Sequence, residues 1–374
     1  MANQMNKFID IAVAGVRGLR PYQPGKPIEE LERELGISDI AKLASNENPL
    51  GPSDSVLTAI AGGARDLWLY PDGNGFALKQ VLAAKHRVNL DQITLGNGSS
   101  DLLEFVVRVF ATPGDEVLFS QHSFAVYPLV TQAVGATGVA APAKNWGYDL
   151  DALQALINRN TKVIFIANPN NPTGTWLSGE ALDAFMETVP EQVIVVLDEA
   201  YFDYADHLAG ADGYPDTTAW VERYPNLIVT RTFSKSYGLA GLRIGYGISH
   251  PDVADLLNRV RPPFNVNSLA LVAAEAAVAD EAYLRRSVEL NGAGLKQLSE
   301  GFDQLGLDYI PSIGNFISVD VERNGSMLFA ALLRQGVIVR PVANYEMPTH
   351  LRVSVGLPAQ NERFLTALKK VLGV

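Results

Sequence analysis

A lysine acts as a nucleophile only when its surroundings remove its proton near neutral pH, and Lys235 stands where that can happen. The apolar run Leu227-Ile228-Val229 reads as a buried strand, so Ser234 and Lys235 follow on the loop at its carboxyl end. In an open α/β sheet that edge is where ligands bind. Small and apolar neighbours desolvate the amine, and a second cation, Arg243, follows in Ser236-Tyr237-Gly238-Leu239-Ala240-Gly241-Leu242-Arg243. Both influences lower an amine pKa, and the chemistry that follows is Schiff-base formation with a carbonyl. A surface lysine in a Gly-rich loop is the competing reading, because lysines are seldom buried.

Other stretches carry groups suited to the same ligand-binding edge. Gly96-Asn97-Gly98-Ser99-Ser100-Asp101 lies between a strand and a helix, where glycines admit close approach and a helix N-terminus offers unpaired N–H groups to a phosphate. A dinucleotide fingerprint would need a third glycine where Asp101 stands, so NAD is disfavoured. Asn168-Pro169-Asn170-Asn171-Pro172-Thr173-Gly174 bends sharply after a strand, and the Asn171 amide can donate to an anionic oxygen. Asp198 ends the buried run Val193–Leu197, where it either caps a helix or meets a cationic partner, with Tyr201 three residues on. Phe124, after the strand Val117-Leu118-Phe119, either stacks on a planar ligand or packs in the core. Arg352 sits inside the apolar run Leu351–Gly356 and Arg340 ends another, positions that suggest an anion site or a buried ion pair. Tyr70, in Tyr70-Pro71-Asp72-Gly73, is on a turn, and none of the five histidines has a spacing that suggests a metal or a triad.

The elements that must hold these groups follow from composition and pattern. With 374 residues, 47% hydrophobic and 19% charged, the chain buries a large core and exceeds the length at which single cores split, so two domains are expected. A formal charge of −11 argues against a nucleic-acid or anionic-membrane surface, and the absence of cysteine excludes disulfides, thiolate catalysis and Cys-ligated metals. No apolar run has signal-peptide or transmembrane length, so a cytoplasmic protein is expected. From about Ser53 to Ser249, helical stretches alternate with short runs such as Ile93-Thr94-Leu95, Val163-Ile164-Phe165-Ile166 and Val193–Leu197. These are apolar at consecutive positions, as in strands covered on both faces, which predicts an α/β fold with a mostly parallel sheet sandwiched by helices. After Arg261-Pro262-Pro263-Phe264 a helical region from about Ser268 to Leu305, kinked near Gly292, leads into short strands of a smaller α+β domain. The expected division is an N-terminal arm over residues 1–45, a large α/β domain over 46–263 and a small domain over 264–374.

Taken together, Arg20-Pro21-Tyr22, Asn46-Glu47-Asn48-Pro49, Tyr70-Pro71-Asp72-Gly73, Gly96-Asn97-Gly98, Asn171-Pro172-Thr173-Gly174, Asp198-Glu199-Ala200-Tyr201, Ser234-Lys235, Arg243 and Leu351-Arg352 resemble, in order, the motifs of fold-type I pyridoxal-phosphate aminotransferases, and within them the histidinol-phosphate aminotransferase family. The resemblance spans nearly the whole chain. It implies pyridoxal 5′-phosphate as cofactor and Lys235 as its Schiff-base lysine, with Gly98, Ser99, Ser234 and Arg243 at the phosphate. Tyr70 would reach that phosphate from the second subunit of a homodimer. Asp198 would pair with the ring nitrogen, Asn171 and Tyr201 would contact the 3-oxygen, and Phe124 would stack on the ring where the family more often has tyrosine. Arg352, with Arg340, Asn171 and the Tyr22 hydroxyl, would bind substrate. The implied reaction moves an amino group from histidinol phosphate to 2-oxoglutarate, with an aromatic amino-acid aminotransferase or a lyase as alternatives on the same scaffold.

Overall fold

The computed structural model describes residues 8–21, 25–210 and 213–373. Its main sheet has seven strands in the spatial order Ile93–Gly96, Gly245–Ser249, Leu227–Thr232, Ile194–Asp198, Thr161–Ala167, Glu116–Ser120 and Thr137–Ala141. Neighbours are parallel except that Gly245–Ser249 runs antiparallel to both its partners. The consecutive apolar runs become central strands because both faces are covered: Val163 to Ile166 and Val195 to Leu197 have no exposed surface. The α/β architecture expected from the alternating pattern is therefore present, a large mostly parallel sheet flanked by helices.

A second body is built on four antiparallel strands in the order Tyr309–Ile310, Phe316–Asp320, His350–Ser354 and Arg340–Pro341. Its core joins Leu298, Phe302, Ile317, Val319, Leu351, Val353, Phe364 and Leu368. The short strand Ala41–Lys42 adds to this body by pairing in parallel with Val337–Ile338. Ala41 and Leu43 from this N-terminal stretch pack into the core of the small sheet.

One element differs from expectation. The region Ser268 to Leu305 is two helices, Ser268–Ala279 and Glu281–Leu305, and the break falls at Asp280 rather than Gly292. The Asp280 carboxylate accepts from the Tyr283 amide at 3.0 Å, so an acidic cap starts the second helix and satisfies one of its free donors. Gly292 lies inside that helix, where a glycine costs only about 1 kcal/mol relative to alanine and need not bend it. Ala270, Ala273, Ala274 and Ala277 of the first helix pack in the large core, next to helix Asp54–Gly63.

The topology brings distant residues to one edge. Strands ending at Gly96, Ser120, Ala167, Asp198 and Thr232 all run the same way, so the loops that follow them share the carboxyl end of the sheet. Ala167, Asp198 and Thr230 stand side by side in register, and Gly245 pairs with both Gly96 and Thr232. A Cβ on Gly245 would come within 2.5 Å of the Ser99 amide nitrogen, so only glycine lets the helix starting at Ser99 descend this closely onto the sheet.

Candidate active site

Above this edge, between the two bodies, lies a cavity of about 190 Å³. Ser99, Phe124, Asn171, Asp198, Tyr201, Ser234, Lys235, Arg243, Arg340 and Arg352 all line it. Residues far apart in sequence and singled out for their chemistry thus share one wall. Gly98 is just outside the lining, pressed against Arg243. Tyr70 is not in the cavity: it is 83% exposed and its ring stacks on Phe264 at 4.8 Å between centroids. Tyr22 lies outside the described residues.

One end of the cavity is an anion cup. Helix Ser99–Phe110 begins there after Gly98, whose φ of 82° belongs to the left-handed region. A Cβ on Gly98 would sit 2.3 Å from an Arg243 guanidinium nitrogen, so the glycine leaves room for the cation beside the helix N-terminus. Arg243 donates to the Ser234 hydroxyl at 3.1 Å and to the Ala240 carbonyl at 3.2 Å. Free helix amides, hydroxyls of Ser99 and Ser234 and one guanidinium therefore converge on a phosphate-sized group.

Lys235 is half-buried, its amine opening into the cavity and donating to the Ser45 carbonyl at 3.2 Å. Burial first, then the positive fields of Arg352 and Arg243, bring its pKa from 10.5 down to about 7. Near neutrality a large share of the amine is therefore unprotonated and nucleophilic. Asp198 is buried, and that burial lifts its carboxyl to about 6. The lift is opposed by the Tyr127 hydroxyl, donating at 3.0 Å to one carboxylate oxygen, and the Thr230 hydroxyl, donating at 3.3 Å to the other. A carboxylate with a donor on each oxygen stays anionic at pH 7 and faces the cavity ready for a cationic group.

Across the cavity, Tyr201 receives a hydrogen bond from the Asn46 amide at 2.8 Å, and burial pushes its phenol up to about 12. It remains a neutral hydroxyl, able to donate to an anionic oxygen. Arg352 donates to the Asn171 side-chain oxygen at 2.5 Å and to the Ala44 carbonyl at 2.8 Å, while its buried Nε has no partner. Arg340 lies directly opposite Arg352 across the antiparallel pair, so both side chains project from the same face. Phe124 meets Tyr127 edge-on at 5.8 Å.

Several contributors carried little sequence signal. Tyr127 stands three positions beyond Phe124 on a helix, and Thr230 is a polar residue in an apolar strand. The loop at Ala44, Ser45 and Asn46 serves both cations largely through backbone carbonyls, which any residue type supplies. Among the described residues no group of three or more His, Cys, Asp or Glu could hold a metal, and no helix is long and apolar enough to cross a membrane.

A mostly parallel sheet with a lysine, an aspartate and an anion cup at its carboxyl edge suits a cofactor-dependent transferase, and residues 38–368 match the family described as aminotransferase class I and II, to which the chain belongs. It is 60% identical to histidinol-phosphate aminotransferase 2 of Pseudomonas fluorescens (strain Pf0-1), over 98% of both chains. It is 58% identical to histidinol-phosphate aminotransferase 1 of Nitrosococcus oceani, again over 98% of both. The crystal structure of histidinol-phosphate aminotransferase from Sinorhizobium meliloti in complex with pyridoxal-5′-phosphate superposes with a TM-score of 0.89 at 31% identity, covering 100% of this chain and 99% of that one. Within its class the chain falls in the histidinol-phosphate aminotransferase family, as the motif resemblance implied.

Proposed function

We propose that this enzyme transfers the amino group of L-histidinol phosphate to 2-oxoglutarate, giving imidazole-acetol phosphate and L-glutamate, as a cytoplasmic step of histidine biosynthesis with pyridoxal 5′-phosphate as cofactor. The observation that carries the substrate choice is the arginine pair. Arg340 and Arg352 are paired on adjacent strands and both line the cavity, and the buried Arg352 Nε still has a hydrogen bond to give. A phosphate ester uses two cations more fully than a single carboxylate does.

The residues present also fit the cofactor. The space left by Gly98 beside Arg243 suits its phosphate, the buried Asp198 suits a cationic ring nitrogen, and Lys235 is the amine poised for its carbonyl. When bound, pyridoxal phosphate supplies a carbonyl that takes up the substrate amine and a ring that accepts the electron pair released at Cα. Asp198 would hold the proton on its ring nitrogen, Tyr201 and Asn171 would hold its 3-oxygen, and Phe124 would cover one face of the ring. Lys235, with a pKa near 7, takes the Cα proton as base and returns it as acid one carbon away, a match of pKa to task. Arg352 and Arg340 orient the substrate so that its Cα–H faces the lysine.

The enzyme works as a homodimer in which Tyr70 reaches the partner's phosphate cup. Support comes from the exposed apolar run Leu67, Trp68, Leu69 and Tyr70, continued by Phe264, a patch of the kind that associating surfaces bury. A single-turnover screen of histidinol phosphate, phenylalanine, tyrosine and O-phosphothreonine, followed by cofactor absorbance, tests the whole reading. Histidinol phosphate is expected to react with the highest kcat/KM. Preference for phenylalanine would replace it with an aromatic aminotransferase, and release of carbon dioxide with a lyase.

A further inference from the structure

Away from the cavity lining, three aromatic rings form a cluster that no step above uses. Residues Asn145 and Trp146 make the two-residue turn of a hairpin in which Lys144 pairs with Gly147. Both turn residues have positive φ, 50° and 65°, so the turn is of the type that favours glycine at its second position. A tryptophan there is strained, since bulky side chains rarely adopt that conformation. The residue is 38% exposed, and its indole contacts two imidazoles, His122 at 5.2 Å and His350 at 4.9 Å between ring centroids, both tilted.

The two histidines belong to different bodies. His122 follows the large-sheet strand Glu116–Ser120, two residues before Phe124, and its backbone carbonyl accepts from the Asn170 side chain at 2.8 Å. His350 starts the small-body strand that carries Arg352, and residues two apart in a strand share a face. The His122 ring also donates through Nδ1 to the Tyr345 carbonyl of the small body at 2.7 Å. Trp146 thus joins the loop bearing Phe124, which the Asn170 side chain ties to the loop bearing Asn171, to the strand bearing Arg352.

We propose that Trp146 is a positioning residue: in contact with both His122 and His350, it latches the small body in the arrangement where Arg352 faces the cavity, and so sets the affinity for the anionic end of the substrate. The inference rests on the reading of Arg352 as the anion-binding group. A protein whose binding-competent arrangement is only partly populated binds more weakly by that fraction, and the latch keeps the fraction near one. The strained backbone at Trp146 is tolerated because the ring has that second task.

Holoenzyme, with its phosphate cup filled, is titrated with inorganic phosphate by calorimetry, and KM and kcat are measured for histidinol phosphate and 2-oxoglutarate. Trp146→Gly removes the rings' contact while suiting the turn. It is expected to weaken phosphate binding and raise both KM values about 5- to 150-fold, the size of losing two aromatic contacts, with kcat and cofactor affinity little changed. Its thermal midpoint stays level or rises. Trp146→Phe restores most of the affinity, and His350→Leu reproduces the glycine variant. Unchanged KM values in Trp146→Gly overturn the latch, as does a KM loss that phenylalanine does not repair. Arg352→Lys separates the two readings: if it leaves phosphate binding intact, the anion site itself is wrong and the latch falls with it. If Arg352→Lys weakens binding and Trp146→Gly does not, the latch alone is wrong.

Discussion

Holding Lys235 at a pKa near 7 costs the cofactor-free protein stability, and the cost has a pH signature. In the unfolded chain the amine keeps its ordinary value of 10.5. Between pH 7 and 10.5 the unfolded state therefore binds more protons than the native state, and stability must rise with pH across that window. At pH 7 the unfolded lysine is fully protonated and the native one about half, and by pH 9 the native one is nearly neutral. Integrating that difference from pH 7 to 9 gives roughly 2 kcal/mol, at 1.36 kcal/mol per pKa unit. Below about pH 6 both forms are protonated and the penalty is constant. Lys235→Met, of similar length and without charge, removes the whole contribution. Urea unfolding of cofactor-free wild type and variant at pH 7 and pH 9, at fixed protein concentration, isolates it, since other titrations cancel in the double difference. Wild type should gain about 2 kcal/mol more than the variant. Equal gains would refute the depressed amine, and a smaller gain for wild type would reverse the reasoning.

Three further outcomes are expected. Tyr127→Phe removes a donor from Asp198 and should lift its pKa further above about 6, moving the infrared carboxyl titration of cofactor-free protein to higher pH; an unmoved titration would mean that the bond at 3.0 Å does not hold the carboxylate. Arg340→Ala should lower kcat/KM for histidinol phosphate about 10- to 150-fold, the worth of one charge-assisted hydrogen bond of roughly 1.5–3 kcal/mol, with phenylalanine much less affected; equal losses would count against phosphate recognition. Mixing Tyr70→Phe with Lys235→Ala subunits should regain one intact site per mixed dimer and raise activity above either parent, whereas activity no higher than the Tyr70→Phe parent means each site is built from one chain.

Legibility varied with the kind of information a residue carries. Lys235, Asp198 and the Gly96–Ser99 turn could be placed because strand-then-loop patterns locate the carboxyl edge of a sheet, and parallel strands bring all such edges together. Arg352 was legible as a charge in an apolar strand, and its position opposite Arg340 is the register that the small sheet supplies. Tyr127 was not, since its hydroxyl reaches Asp198 only through tertiary packing against Phe165, with the rings 4.6 Å apart. The carbonyls of Ala44 and Ser45 left no trace, because backbone acceptors are the same in every residue. Asp280 was overlooked as a helix break in favour of Gly292, although an acidic cap is the stronger start signal and a glycine in a helix the weaker stop.

The antiparallel strand Gly245–Ser249 has a consequence for how the site responds to motion. Because it reverses direction beside Leu227–Thr232, residues 233–244 leave and re-enter the sheet at neighbouring strands, closed by the pairing of Thr232 with Gly245. Lys235, Ser234 and Arg243 therefore ride on one short clip, fastened at both ends to the most deeply buried part of the molecule. Such a short closed loop loses little entropy when its groups are fixed. Lys235 and Arg243 are held by the same closed loop of the large sheet, while Arg352 belongs to a strand of the smaller body. The phosphate cup thus depends on the large sheet alone, whereas Arg352 hangs from the smaller body and is coupled to the cofactor side through its bond to Asn171.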